Sequence, residues 1–442
     1  MSIFLLPKIS YEIKHEDIDF KMVESIPGAF ISNSLYEMLS KTKLQIEPIE
    51  NNWDNYKKLT NPYEFIHTVV PGCKTQVSRM KPLSRSFYKM VEICTQFNLC
   101  HNGNNNNNNN DVINDIFTSS SGNVGNNHNN QNNTFMHFVV PDSVSLASQS
   151  ASSSSPKMTS FHLAEGPGGF IEAVCFMRKN PNDVYYGMTL VNSNSKCPGW
   201  KKSKTFLEEN PNVIIEKGID ETGNLLSIEN FKYCYEKYGG KIEFITGDGG
   251  VDFSENFNNQ EHTATKLIIA QVIYAISMQS TGGNFVLKVF DIFSNATVDV
   301  LYLLSSLYKE VYIMKPKTSR YANSEKYVIC KGFNLNSTFN KKIIYKFHDN
   351  FHNLNSELNI ETFFNFKHDR AYLTRVEEIN AIFGENQIEN IISTLNLIMN
   401  KSTEKNENLK KANIQKCVQW CEKHNISHHK VIQTVNIFLQ FG

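Results

Sequence analysis

Residues 161–173 read FHLAEGPGGFIEA. An apolar run ends in an acid at Glu165. Gly166, Gly168 and Gly169 then crowd around Pro167, and helical spacing resumes from Phe170. A strand that hands over to a helix through so dense a turn belongs to an open α/β sheet. In such sheets ligands gather beyond the carboxyl ends of the strands. The stretch therefore predicts the first strand, the first helix and, between them, a point of ligand contact.

Working outward, VYYGMTL (184–190), VIIEKG (213–218), IEFITGD (242–248), NFVLKVF (284–290), EVYIMKP (310–316) and KYVICKGF (326–333) read as further strands. Residues 263–280 and 295–309 carry helical spacing between them. Strands that are apolar on both faces and separated by helices predict a Rossmann-like, doubly wound, mostly parallel sheet. Seven strands are expected. The short link before the last one predicts a hairpin and an antiparallel edge strand. Upstream, PLSRSFYKMVEICTQF (82–97) puts Phe87, Met90, Val91 and Cys94 on one helical side, with Ser84 as a candidate cap.

Composition divides the rest. Residues 102–158 hold NGNNNNNNN, NVGNNHNNQNN and SLASQSASSSSP around one apolar run, FMHFVV (135–140). Such tracts bury too little surface to offset ordering entropy and predict a disordered insertion. The expected order is an N-terminal segment (1–101) with the 82–97 helix, the insertion (102–158), the sheet domain (159–334) and a helical C-terminal extension (335–442). In that extension 375–400 and 412–424 are amphipathic. The 44 basic and 44 acidic residues balance, so nucleic-acid contact would need a local patch. Nine scattered cysteines suit a reducing compartment. The N-terminus makes a poor signal peptide, and no apolar stretch is long enough to span a bilayer.

A dinucleotide loop would read G-x-G-x-x-G over a pyrophosphate. Here the spacing is G-P-G-G-F after Glu165; an E/D-x-G-x-G turn fits S-adenosylmethionine, with Pro167 standing at the first glycine here, and an ordinary tight turn is the alternative. Thr189 ends strand two, where a ribose acceptor is expected. Asp220 follows strand three, either as an adenine acceptor or as a turn-forming Asp. Four ionisable residues fall at one rim of this fold: Lys89 on the upstream helix, Asp248 ending strand four, Lys288 inside FVLKVFD, and Glu325 before the last strand. A lysine amid VL-VF is unusual. Burial and a second ammonium favour the neutral amine, and nearby acids oppose it. Each residue alone also has a plain structural reading as a snorkelling or solvated side chain.

Together, however, they match the K-D-K-E pattern of FtsJ-like ribose 2′-O-methyltransferases. The strings LSRSFYKMVEI, AEGPGGF, TGDGG, FVLKVFD and KPKTSRYANSEKYVICKGF resemble that family as well. The last string, with GDGG and Asp252-Phe253-Ser254, looks most like the cap-specific mRNA branch. The resemblance covers roughly 60–100 and 159–334. It implies methyl transfer from S-adenosylmethionine to a ribose 2′-hydroxyl of RNA near the mRNA 5′ cap, with no metal required. Lys288 would contact the 2′-oxygen, Asp248 and Glu325 would orient the lysines, and Lys89 would position the hydroxyl. Glu165, Gly166, Pro167, Gly168, Gly169, Phe170, Thr189, Asp220 and Asp248 would line the cofactor. Capping or transcription machinery would be partners, and the nucleus or cytoplasm the location.

Two lysine-rich stretches are candidate RNA contacts. One is Lys196, Lys201, Lys202 and Lys204 around Trp200; the other is Lys315, Lys317 and Arg320. A solvated loop is the alternative for the first. Cys417, Cys421, His424 and His428 have spacing reminiscent of metal ligands, but core cysteines on an amphipathic helix are the simpler reading. Three rival functions remain: methylation of ribosomal or transfer RNA, a silent RNA-binding subunit, and a metabolic dehydrogenase.

Overall fold

The computed structural model describes residues 2–100, 156–191, 199–250, 257–334 and 339–429. Most of the Asn/Ser-rich insertion with FMHFVV, Lys196, and the Asp252–Ser254 string lie outside the described residues. The sheet has strands β1 (Ile3–Leu5), β3 (Thr159–Leu163), β4 (Val184–Met188), β5 (Val213–Glu216), β6 (Ile242–Gly247), β7 (Gln279–Val289), β8 (Tyr308–Met314) and β9 (Lys326–Phe333). Their order is β1-β8-β9-β7-β6-β3-β4-β5. Strands β3 to β7 pair in parallel, and β9 runs antiparallel between β7 and β8.

The Rossmann-like, mostly parallel class is as predicted, with one strand more. Ile3–Leu5 adds an antiparallel edge strand on β8, and β9 lies inside the sheet rather than at its rim. A three-residue strand has too little period to be read from sequence. A second, two-stranded sheet joins β2 (Ile18–Val23) to β10 (Asn359–Phe364).

Side chains alternate across the sheet and feed two cores. Phe285, Leu287, Val289, Val328 and Cys330 enter one, with helices Gln260–Met278 and Asn295–Leu307 above them. Val286, Tyr327 and Ile329 enter the other, under helices Ser86–Phe97, Gly169–Arg178 and Thr403–Lys423. Fully burying a side chain of this size contributes about 1.5–3 kcal/mol. Helix Ser86–Phe97 has Arg85 at its N-cap position, without a side-chain cap bond, so Ser84 is not its cap. Ser84 instead bonds the Ser86 hydroxyl. The C-terminal helices fold back over the N-terminal segment: Arg370–Asn400 packs on Glu50–Thr60 and Asn33–Leu44. Cys417 and Cys421 are buried in that packing, and the Cys417 thiol donates to Pro62 O at 3.4 Å. Among the described residues no three His, Cys, Asp or Glu side chains are grouped to hold a metal ion, and no helix is long and apolar enough to cross a membrane.

Candidate active site

Strand β3 is flanked by β4 on one side and β6 on the other, all parallel, so the strand order reverses there and a crevice opens beyond the strand ends. Glu165 leaves β3 into this crevice and is 4% exposed. Its Oε1 accepts from Phe170 N at 2.7 Å and Ile171 N at 3.1 Å, which closes the glycine turn onto its helix. Its Oε2 is buried with no hydrogen-bond partner. Burial, then the Asp248 charge, pushes this carboxyl well above the usual carboxylate range. A buried acceptor left without a donor is what an incoming ligand would satisfy. Gly168 takes φ +109°, which suits glycine alone, and side chains at Gly166 would press on Thr189 and Gly199 O. Pro167 O accepts from the Ser203 hydroxyl, and buried Thr189 follows β4. These groups form a backbone cradle with one acid at its floor.

Asp248 follows β6, and its amide donates to Leu163 O at 3.2 Å. Lys288, on β7, places its Nζ 2.7 Å from Asp248 O and 3.2 Å from Asp248 Oδ1. Opposite, Lys89 Nζ lies 2.6 Å from Glu325 Oε1, with side chains 8% and 15% exposed. The Tyr327 hydroxyl joins the two pairs, donating towards Asp248 Oδ1 and Glu325 Oε1, each at 3.2 Å. Burial lowers the Lys89 pKa, and Glu325 opposes that. Burial would raise Glu325, yet Lys89 and then Lys288 hold its carboxyl below the usual range. Two ammonium groups and two carboxylates, from four elements 236 positions apart at the extremes, thus meet beside Glu165.

The other candidates are placed differently. Asp220 is exposed, and its Oδ1 accepts from Thr222 N, Thr222 Oγ1 and Asn230 Nδ2 at 2.9, 2.6 and 2.8 Å. The Trp200 ring packs against the turn: a methyl at Gly187 would come within 2.5 Å of it, and one at Gly168 within 3.4 Å. Lys201 is exposed beside it. The Lys315 ammonium donates to Asn323 O and, at 2.8 Å, to Glu325 O, so it closes its own loop. Burial, then Lys326, brings it down to about 7. The Lys317 ammonium sits 6.0 Å from the Tyr63 ring centre, and Arg320 pairs with Glu64 at 2.7 Å.

Several supporting residues escaped the sequence reading. Glu92, 3% exposed, accepts from Lys317 N at 2.8 Å and from Thr318 N and Oγ1 at 3.2 Å. With Arg85 and Lys89 it forms an i, i+4, i+7 stripe that docks the Ser86–Phe97 helix on the 315–325 loop. Buried Gln271 accepts from Gly249 N at 3.0 Å and steadies the turn after Asp248. On the other face of the sheet, Asp291 binds Lys43 at 2.8 Å, Ser324 Oγ at 2.8 Å and Lys326 at 3.4 Å. The acid in FVLKVFD was the one visible hint of this second charged cluster.

An open α/β sheet with a glycine cradle at its switch point, and charged side chains gathered at the strand ends, defines a small-ligand site in outline. Residues 147–333 match the family described as FtsJ-like methyltransferase. Lys89 lies upstream of the matched segment. Among curated proteins, the chain is 31% identical over 192 residues to a cap-specific mRNA (nucleoside-2′-O-)-methyltransferase 2 of Drosophila melanogaster, covering 40% of this chain and 27% of that one. It is 33% identical over 191 residues to the corresponding methyltransferase 1 of Dictyostelium discoideum, covering 39% and 25%. The methyltransferase 1 of Mus musculus is 35% identical over 182 residues, covering 39% and 21%. The chain thus spans about a quarter of the length of these relatives.

Proposed function

We propose that this protein transfers a methyl group to a ribose 2′-hydroxyl of RNA, at nucleotides next to the mRNA 5′ cap. The observation that carries the reading is the meeting of Lys288–Asp248 and Lys89–Glu325 beside the Glu165 cradle. The names of the relatives support the substrate class. S-adenosylmethionine, when bound, supplies a methyl group already activated by its sulfonium. Glu165, Gly166, Gly168 and Thr189 would hold it, since the orphaned Glu165 oxygen offers an acceptor and the glycine turn leaves room for close backbone approach.

The residues of the chain do the rest. Lys288 contacts the 2′-oxygen and, as the neutral amine, takes the proton that the hydroxyl loses on methylation, with Asp248 fixing Nζ by side chain and carbonyl. Lys89 positions the same hydroxyl, and Glu325 holds Lys89 in place. Holding these groups before substrate arrives is the main contribution, because alignment removes entropy from the barrier. Nuclear residence and association with the capping or transcription machinery follow from this reading, and fractionation would check the first.

The test is methyl transfer from labelled S-adenosylmethionine to capped and uncapped transcripts, followed by nuclease mapping of the modified sugar. Label at the 2′-oxygen of a cap-proximal nucleotide is expected. Label confined to a base, or equal labelling of internal positions of uncapped RNA, would overturn the proposal.

A further inference from the structure

Glu64 is 1% exposed at its side chain and lies under two guanidinium groups, Arg320 at 2.7 Å and Arg85 at 3.9 Å. The arginine side chains remain 27% and 25% exposed above the buried acid. Arg85 also donates from Nη2 to Thr318 O at 3.1 Å, and its Nε is buried without a hydrogen-bond partner. His67 stands against Glu64 at 3.7 Å, and burial, then the Arg85 charge, holds its pKa down to about 3, so it adds no charge. Arg85 is one helical turn before Lys89, whose own charge is matched by Glu325. Two fixed positive charges therefore meet one negative charge in this patch, next to the proposed catalytic pair.

We propose that Arg85 and Arg320, braced from below by Glu64, seat a phosphate of the RNA substrate beside the sugar addressed by Lys89 and Lys288. Arg320 turns Nε and Nη2 to Glu64 and Arg85 turns Nη2 to Thr318 O, so the two guanidiniums would share the phosphate, each keeping its fixed charge and several N–H donors where a lysine offers one ammonium point. The neighbouring lysines are less suited, since Lys315 is spent on loop carbonyls and Lys317 lies over Tyr63. The phosphate comes either from the backbone or from the cap bridge. The inference rests on the RNA reading above, and its test uses binding rather than methylation so that the two can fail separately.

Fluorescence anisotropy of the full chain with a short labelled single-stranded RNA, capped or carrying a 5′-hydroxyl, gives affinity across a salt series. Arg85→Gln is expected to weaken binding roughly tenfold or more and to flatten the dependence of log K on log salt by about 0.7, one phosphate contact on a single strand. Arg85→Lys should restore the slope but not the full affinity. A difference seen with both RNAs assigns the backbone phosphate; one seen only with capped RNA assigns the bridge. Binding of S-adenosylmethionine and the melting temperature report the fold. Should Arg85→Gln fail there, Arg320→Lys, which keeps a cation on Glu64, carries the same affinity comparison. A folded variant with wild-type RNA affinity and salt slope would overturn the seat, as would a wild-type chain that binds neither RNA. A chain that binds RNA through these arginines yet transfers no methyl group would sink the enzymatic reading and leave the seat standing.

Discussion

Replacing Glu325 by glutamine keeps the side chain's shape and removes its charge from the contact with Lys89 at 2.6 Å. At that distance an effective dielectric near 20 gives an attraction of roughly 6 kcal/mol, largely offset by the cost of desolvating both ions. Breaking one partner of a buried pair costs about 3–5 kcal/mol. Glu325 retains 15% exposure, and Ser319 Oγ at 3.0 Å can still bond the amide oxygen, so the expected loss is near the low end, about 3 kcal/mol at neutral pH. The loss depends on pH with a definite sign. Burial would raise the carboxyl, but Lys89 and Lys288 hold it below its ordinary 4.5 in the folded state. Its contribution is therefore complete above that value and disappears as pH falls through the lowered folded value. The glutamine cannot titrate, so the gap between wild type and variant should narrow on acidification from about pH 7 to about pH 3. Urea unfolding at both pH values, read by far-ultraviolet circular dichroism with matched slopes, measures it. A gap under about 1 kcal/mol at neutral pH, or one that does not narrow in acid, would refute the buried-pair reasoning.

Lys288→Ala should lower methyl transfer by about 10²–10⁴-fold with cofactor affinity retained; wild-type turnover in a folded variant would remove Lys288 from the chemistry. Glu165→Gln preserves an acceptor for Phe170 N and Ile171 N but changes the orphaned oxygen. Calorimetry should show cofactor binding weakened roughly tenfold or more with little change in melting temperature. Gly187→Ala places a methyl 2.5 Å from Trp200 and 2.7 Å from the Ile171 side chain, so thermal unfolding should report a loss of about 1–3 kcal/mol. Gln271→Leu leaves Gly249 N without its acceptor at 3.0 Å and should cost about 1–3 kcal/mol, with a fall in turnover that exceeds any change in cofactor affinity.

The parts that sequence made legible share one property: their pattern is local. The FHLAE strand, its glycine turn and the buried side of Ser86–Phe97 follow from apolar spacing within a dozen residues. The four charged residues were legible because their surrounding strings resemble a family, not because spacing brings Lys89 and Glu325 together. What escaped depends on contacts between distant segments. Ile3–Leu5 has no period of its own and becomes a strand only on the edge of β8. Glu64 and Glu92 look like ordinary surface acids until the 315–325 loop is laid over them. The sequence could not say which lysines of that loop would be consumed by its own carbonyls, as Lys315 is.

The antiparallel β9 brings Glu325 and Tyr327 to the carboxyl end of β7, where Tyr327 stands opposite Lys288 and Lys326 opposite Val289. Tyr327 reaches Asp248 while Lys326 reaches Asp291 across the sheet, so adjacent residues serve opposite charge clusters. Sliding β9 by a single position would drop an ammonium group among Lys89 and Lys288 and turn an acid towards Asp291. Like charges would then collide on both sides at once. Electrostatic parity thus locks the pairing of these two strands, and the same alternation that assembles the candidate chemistry also guards the chain against misalignment.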